Sequence, residues 1–167
     1  MRHALLSLLL FGCLAQPEAR IGIDGPDRTQ FEPVQRLLDH RCGSLDCHGQ
    51  SGRNLRIWGC EGMRLDANDA PYCLRTGGTD TTAAEYDATY RSLVGLEPAV
   101  MTAVVANKGA HPEYLTFVRK ARGEESHKGG KLWNAGDDQD RCVASWLAGA
   151  VDTMACTTGL SDADGGP

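Results

Sequence analysis

The chain has 167 residues, a net charge of −5 and a pI near 5.5. Hydrophobic residues make up 41%, which excludes a disordered chain, while aromatics at 6% are thin for a core of this size. The acidic balance argues against a general nucleic-acid binder, which carries a basic footprint. No apolar run approaches the roughly 20 residues of a membrane-spanning helix.

The N-terminus reads as an address. Met1-Arg2-His3 is a short basic start, and Ala4 to Phe11 is a compact apolar stretch, the layout of a secretory signal over residues 1–12. It runs into Leu10-Phe11-Gly12-Cys13, which resembles a bacterial lipobox with Cys13 as the lipidated first residue of the mature chain. Phe11 stands where that pattern usually has a small residue. Acyl chains on Cys13 would anchor the protein to a bacterial membrane, on the periplasmic side or at the cell surface. Removing residues 1–12 takes away Arg2 and no acid, so the charge moves from −5 to −6. Residues 13–29 have the composition of a tether.

A domain over 30–156 follows. Pro33 suits a first helical turn, and Val34, Leu37 and Leu38 share one face, predicting a helix over about 31–41. Residues 49–81 are rich in Gly and Asp and predict a long ordered loop, with Leu55-Arg56-Ile57-Trp58 as a short strand in it. Thr82-Ala83-Ala84-Glu85 is a capping-box signature. The periodicity of Tyr86, Tyr90, Leu93 and Val94 continues it as a helix ending at Gly95. Residues 99–106 are apolar, as strand or helical turn. A helix from His111-Pro112-Glu113 puts Leu115, Val118 and Ala121 inward and stops at Gly123. Residues 123–137 are polar and Gly-rich. Asp137 and Asp138 cap a last helix, over about 138–150, which carries Cys142, Val143, Trp146 and Leu147 on one stripe. Residues 157–167 read as a flexible tail. The two narrow apolar stripes need partners, so the first and last helices are expected to cross near Trp146. The sum is a small all-α domain with long Gly-rich loops.

Seven cysteines are present, and Cys13 set aside leaves six. In an exported chain these read as disulfides or cofactor attachments. The segment Arg41-Cys42-Gly43-Ser44-Leu45-Asp46-Cys47-His48-Gly49 carries the chemistry. In a c-type haem site two Cys thiols form thioethers to the haem vinyl groups, and the His directly after the second Cys gives its imidazole to iron. Cys47-His48 keeps that adjacency. The spacer between the Cys is four residues instead of the usual two, which works if the extra residues bulge away from the porphyrin.

Val34 to Cys42, with Cys47-His48-Gly49, resembles the N-terminal haem-attaching helix and loop of cytochrome c domains. Val143-Ala144-Ser145-Trp146-Leu147-Ala148-Gly149-Ala150 is similar to their C-terminal helix. Pro112 to Gly123, followed by Gly129-Gly130, resembles a bacterial subset of them. The resemblance covers roughly residues 30–152. It implies an all-α cytochrome c-like fold, covalent haem c on Cys42 and Cys47, His48 as proximal ligand, and electron transfer to a redox partner protein. Catalysis is not required. In that subset a Met-Pro pair after the Gly-rich loop often supplies the distal Met, and here Gly129-Gly130-Lys131-Leu132-Trp133 has none. His127, in the same loop, takes first place as sixth ligand. Met101 or Met63, or an iron open to water, come next. The acidic surface would favour a basic or metal-bearing partner.

The remaining four cysteines pair most simply as Cys60–Cys73 and Cys142–Cys156. Two other readings stand beside haem attachment. In one, Cys42–Cys47 is a third disulfide of a haem-free cell-surface binding or structural module. In the other, Cys42, Cys47, His48 and one of Cys60 or Cys73 bind a metal such as zinc. No Ser-His-Asp elbow, phosphate loop or HExxH stretch is present.

Overall fold

The computed structural model describes residues 22–164; the signal segment and Cys13 lie outside them. The regular elements among the described residues are helices, with long loops between them and no strand. The helices are α1 (Phe31–Cys42), α2 (Cys73–Thr76), α3 (Ala83–Val94), α4 (Pro98–Ala106), α5 (Thr116–Ala121), α6 (Asp138–Leu147) and α7 (Thr153–Asp164). The all-α expectation holds. None of these helices is long and apolar enough to cross a membrane.

Helix α1 buries the stripe read from the sequence, Val34, Leu37 and Leu38, together with Phe31. Phe31 meets Trp146 of α6 at 4.9 Å and Tyr90 of α3 at 5.5 Å between ring centres. The expected meeting of the first helix with α6 near Trp146 is therefore present. Each fully buried side chain of this size stabilises the fold by about 1.5–3 kcal/mol. The α3 capping box forms in both directions between Thr82 and Glu85, and Asp137 caps α6 by accepting from Asp140 N. Residues 98–106, left open between strand and helix, form α4, with Pro98 in its first turn. The segment from His111 is a 3-10 turn (Pro112–Tyr114) before the short α5, and Gly123 ends it at φ +72°.

Three expectations give way. Leu55–Trp58 is not a strand; only two isolated bridges occur among the described residues, Ser44 to Gly62 and Trp58 to Met63. The Trp58 backbone is taken by side chains instead: its N–H donates to Thr89 Oγ1 at 2.9 Å and its carbonyl accepts from Gln35 Nε2 at 2.8 Å. The C-terminal part of the tether is docked. Asp24 N donates to Thr102 Oγ1, while the carbonyls of Pro26 and Asp27 accept from the Tyr90 hydroxyl and Trp146 Nε1 at 2.8 and 3.0 Å. Buried Tyr and Trp need such acceptors, and the tether supplies them. Finally, residues 157–164 do not fray but continue α7. Ala155 and Cys156 are buried, and Gly159 packs on Gln139, whose Nε2 donates to the Gly159 carbonyl at 3.1 Å.

The two disulfides pair as expected. Cys60–Cys73 has Cα atoms 5.2 Å apart and Cys142–Cys156 4.6 Å, within the usual range. The second ties α7 to α6, which accounts for the ordered C-terminal helix. The first closes the loop before α3. That loop is anchored by Arg64, buried to 3% with Glu85 at 1%, their atoms 2.8 Å apart. Burial pushes the Glu85 carboxyl up. Arg64 and the N–H groups of Thr82 and Leu65 outweigh it and hold the group below its ordinary value.

Candidate functional site

The loop from Cys42 to Gly49 doubles back on the end of α1. His48 N donates to the Cys42 carbonyl at 2.9 Å, and Cys47 N and Gly49 N both donate to the Ser44 carbonyl. A Cβ at Gly49 or Gly62 would collide with the Gly43 carbonyl, so glycine is required where these strands of backbone touch. The fold-back brings His48 beside Cys42 and leaves Leu45 and Asp46 exposed. The extra residues of the spacer thus bulge outward. Arg53 clamps the loop from the far side, its Nε donating to the Cys47 carbonyl at 2.9 Å.

Beside this loop is a cavity of about 440 Å³, within the span of about 300–1,000 Å³ common for small-molecule and cofactor sites. Leu38 and Cys42 of α1, His48, Leu55 and Ile57 form one wall. Phe117 and Ala121 of α5 and, after it, His127, Leu132 and Trp133 form the other. Ion pairs hold that second wall. Arg122 grips Asp140 of α6 with two bonds of 2.7 and 2.9 Å, and Glu97 accepts from Thr116 N and Oγ1 at 2.7 and 2.8 Å at the start of α5.

His48 Nδ1 lies 3.0 Å from the Leu55 carbonyl. With Nδ1 donating there, Nε2 carries the lone pair, the arrangement by which metal-binding imidazoles are oriented. Burial lowers the His48 pKa. The Leu55 carbonyl opposes this, and the positive neighbours His127, Arg53 and Lys120 add to it. The neutral, ligating form is favoured. Burial also pushes the Cys42 thiol up to about 12, so it is a thiol rather than a thiolate.

The structure brings Cys42, His48 and His127 together on one cavity. The His48 and His127 ring centres are 5.9 Å apart with planes 19° from parallel. Two imidazoles on opposite sides of one metal ion, each at ~2.0–2.1 Å, place their ring centres roughly 6.4 Å apart. The observed 5.9 Å is close to that spacing, with the two rings nearly parallel. One further group speaks for an absent acceptor: Trp133 Nε1, in the cavity wall, is buried with no partner. Arg41 Nε is also buried without one, outside the lining, while its Nη2 donates to the Leu132 carbonyl. Buried donors without partners are rare and call for an explanation.

The other candidate residues lie elsewhere. Cys47 is half-buried next to His48 and is not among the cavity-lining residues. Cys42 and Cys47 are unbridged. Met101 is 1% exposed in the core and Met63 lies in the disulfide loop; neither lines the cavity. Cys60, Cys73 and Asp80 bring ligand atoms within 4.8 Å, but the two sulfurs are bonded to each other and cannot join Cys42 and His48 at a metal. The sequence reading missed the Leu55 carbonyl, the Arg53 clamp and Trp133. A Trp next to a Gly-rich loop was a signal for the last; the other two are backbone relations that composition does not carry.

Compared with protein-family models, curated proteins and solved structures, the chain shows no match.

Proposed function

We propose that the cavity holds one covalently attached haem c and that the chain is an exported electron carrier. Cys42 and Cys47 would form the thioethers, with His48 as proximal and His127 as sixth ligand. The observation that carries this reading is the pair of imidazoles facing across an apolar cavity beside Cys42. When bound, the haem supplies a reversible one-electron couple at its iron. The chain's own residues do the rest. The Leu55 carbonyl fixes the His48 tautomer, Leu38, Ile57 and Phe117 exclude water, and Trp133 offers a donor to an anionic or carbonyl group at the cavity wall. Two His ligands set a lower potential than His and Met, because thioether ligation raises it. Cys13, as a lipidated N-terminus, would hold the carrier at a bacterial membrane, facing the periplasm or the outside. Its partner would be another redox protein.

The test is the intact mass and pyridine haemochrome spectrum of protein matured with a haem-attachment system. One covalent haem is expected. His48→Ala should abolish the low-spin spectrum, and His127→Ala should keep the haem attached while turning it high-spin or shifting its potential. Matured protein without a covalent haem mass defeats the reading and leaves the disulfide module in its place.

A further inference from the structure

The segment carrying His127 is fixed firmly at its ends and by one side chain in its middle. At the start, Arg122 is held by Asp140. At the finish, Leu132 N and Trp133 N donate to the Ala121 carbonyl at 2.8 and 3.2 Å, and Arg41 Nη2 donates to the Leu132 carbonyl at 2.9 Å. Between them the Glu124 N–H donates to the Arg119 carbonyl at 2.9 Å, and its side chain reaches Arg122 at 4.0 Å. The ring of His127 has one hydrogen bond, within its own turn, to the Gly130 carbonyl at 3.4 Å, and lies against the His48 ring. Glu125 is different. One carboxylate oxygen accepts from Arg119 Nε at 3.1 Å and the other faces Lys120 Nζ at 3.0 Å. Lys120 Nζ also donates to the Ser126 carbonyl at 3.2 Å. Arg119 is itself immobilised by the Glu113 and Tyr114 carbonyls and Thr116 Oγ1 at 2.9, 2.7 and 2.9 Å. The loop is therefore tied to α5 mainly through one carboxylate, two residues before the imidazole.

We infer that Glu125 is a latch. It is a positioning residue whose ion pairs with Arg119 and Lys120 hold His127 over the cavity, and whose release lifts the loop and opens the far side to a small exogenous ligand. The inference rests on the haem reading above. Glu125, Arg119 and Lys120 are each about a third exposed, at 37%, 33% and 34% of the side chain. Ion pairs that exposed are weak and salt-sensitive, so the latch opens readily. Gly130 at φ +68° gives the loop a turn that swings as a unit.

The experiment uses matured ferric protein and cyanide as the exogenous ligand. Glu125→Gln should raise the cyanide association rate about three- to tenfold and increase the high-spin fraction, with the His48 ligation and covalent haem mass unchanged. Raising salt should bring the wild type towards the variant and leave the variant unmoved. In the haem-free chain the Gly130 amide, which donates to the His127 carbonyl at 3.0 Å, should exchange faster in Glu125→Gln. Glu32→Gln breaks the exposed Glu32–Arg36 pair on α1 with the same change of charge, and serves as control. Equal cyanide rates in Glu125→Gln, Glu32→Gln and wild type overturn the latch while leaving the haem assignment standing. Absence of the covalent haem mass overturns the haem reading and the latch with it.

Discussion

At the N-terminal end of α1, Phe31 packs on Tyr90 and Trp146, and the polar atoms of both aromatic partners are satisfied by the carbonyls of Pro26 and Asp27. At the C-terminal end of the same helix, Arg41 Nε has no partner, Trp133 Nε1 nearby has none, and Cys42 faces a cavity. One helix thus belongs to a closed region and an open one. In the closed region the buried aromatic donors are satisfied, as in a finished core; between the two ends, Gln35 Oε1 is buried without a partner. The open region has the apolar walls of a core without the atoms that would fill it. Under the proposal above, a flat, apolar ligand edged with acceptors would complete it.

The largest expected effect separates the two regions directly. Trp146→Ala should destabilise the haem-free chain by about 3–5 kcal/mol, the usual cost of deleting a buried aromatic. Phe117→Ala, in the cavity wall at 8% exposure, should cost clearly less, because its ring already faces a void on one side. In the matured protein the cost of Phe117→Ala should rise. Denaturant unfolding of both variants with and without haem measures this. Equal costs in the haem-free chain would break the contrast.

The disulfides come next. Each closes a loop of similar length, with sequence separations of 13 and 14. Chain entropy alone gives about 3 kcal/mol for either. Replacing Cys142 and Cys156 together by Ser should lower stability by that amount and release α7, seen as faster exchange of amides beyond Thr153. Replacing Cys60 and Cys73 should cost a similar amount and leave α7 protected.

A pH measurement probes the border between the regions. Asp39, 5% exposed on α1, accepts from Thr81 Oγ1 at 3.1 Å and lies against Glu61 N and Gly59. Burial raises its carboxyl to about 6, against the pull of those donors and with a small push from Glu61. The folded chain therefore binds this proton more tightly than the unfolded chain, whose Asp titrates near ~3.9. Asp39 contributes full stability below about pH 4 and loses it as pH rises through about 6. Asp39→Asn, fixed in a neutral form, should gain about 2 kcal/mol over wild type at pH 7.5, and the gain should vanish below pH 4. A difference that does not change with pH would show that Asp39 is not the titrating group.

The closed region was readable from the sequence because its signals are local. Apolar spacing marked Val34, Leu37 and Leu38, Thr82 with Glu85 marked a cap, and even cysteine spacing marked both bridges. The candidate site was half readable. Cys47-His48 is a chain-adjacent pair, and His127 stood out in a loop that lacked Met. What was hidden depends on contacts between distant segments: the Leu55 carbonyl on His48, the Arg53 clamp, and the docking of residues 24–27 under Tyr90 and Trp146. The C-terminal helix was hidden for the same reason, since Thr157 to Asp164 is weakly amphipathic and gains its order from α6 through Cys142–Cys156.

The smallest expected effect concerns charge. The net balance of −5 points to a basic redox partner, but several cations lie around the cavity. Arg53 and Lys120 line the cavity, and Arg56 and Arg91 line a groove that shares Asn54 and Leu96 with it. Glu97 in the cavity wall accepts from Thr116, and Lys120 and Arg91 are paired with Glu125 and Asp87, so Arg53 and Arg56 carry the local positive charge. Local potential, not net charge, steers two proteins into a productive encounter. An acidic redox partner should therefore exchange electrons with the matured protein faster than a basic one at low salt. Arg56→Gln, which removes one exposed cation without touching the Cys42–His48 loop, should slow the acidic partner by about twofold, and the difference should disappear at roughly 1 M salt, where the Debye length is ~3 Å. If the basic partner is the faster one and Arg56→Gln speeds it further, the net charge governs docking and the cavity face is not the contact surface.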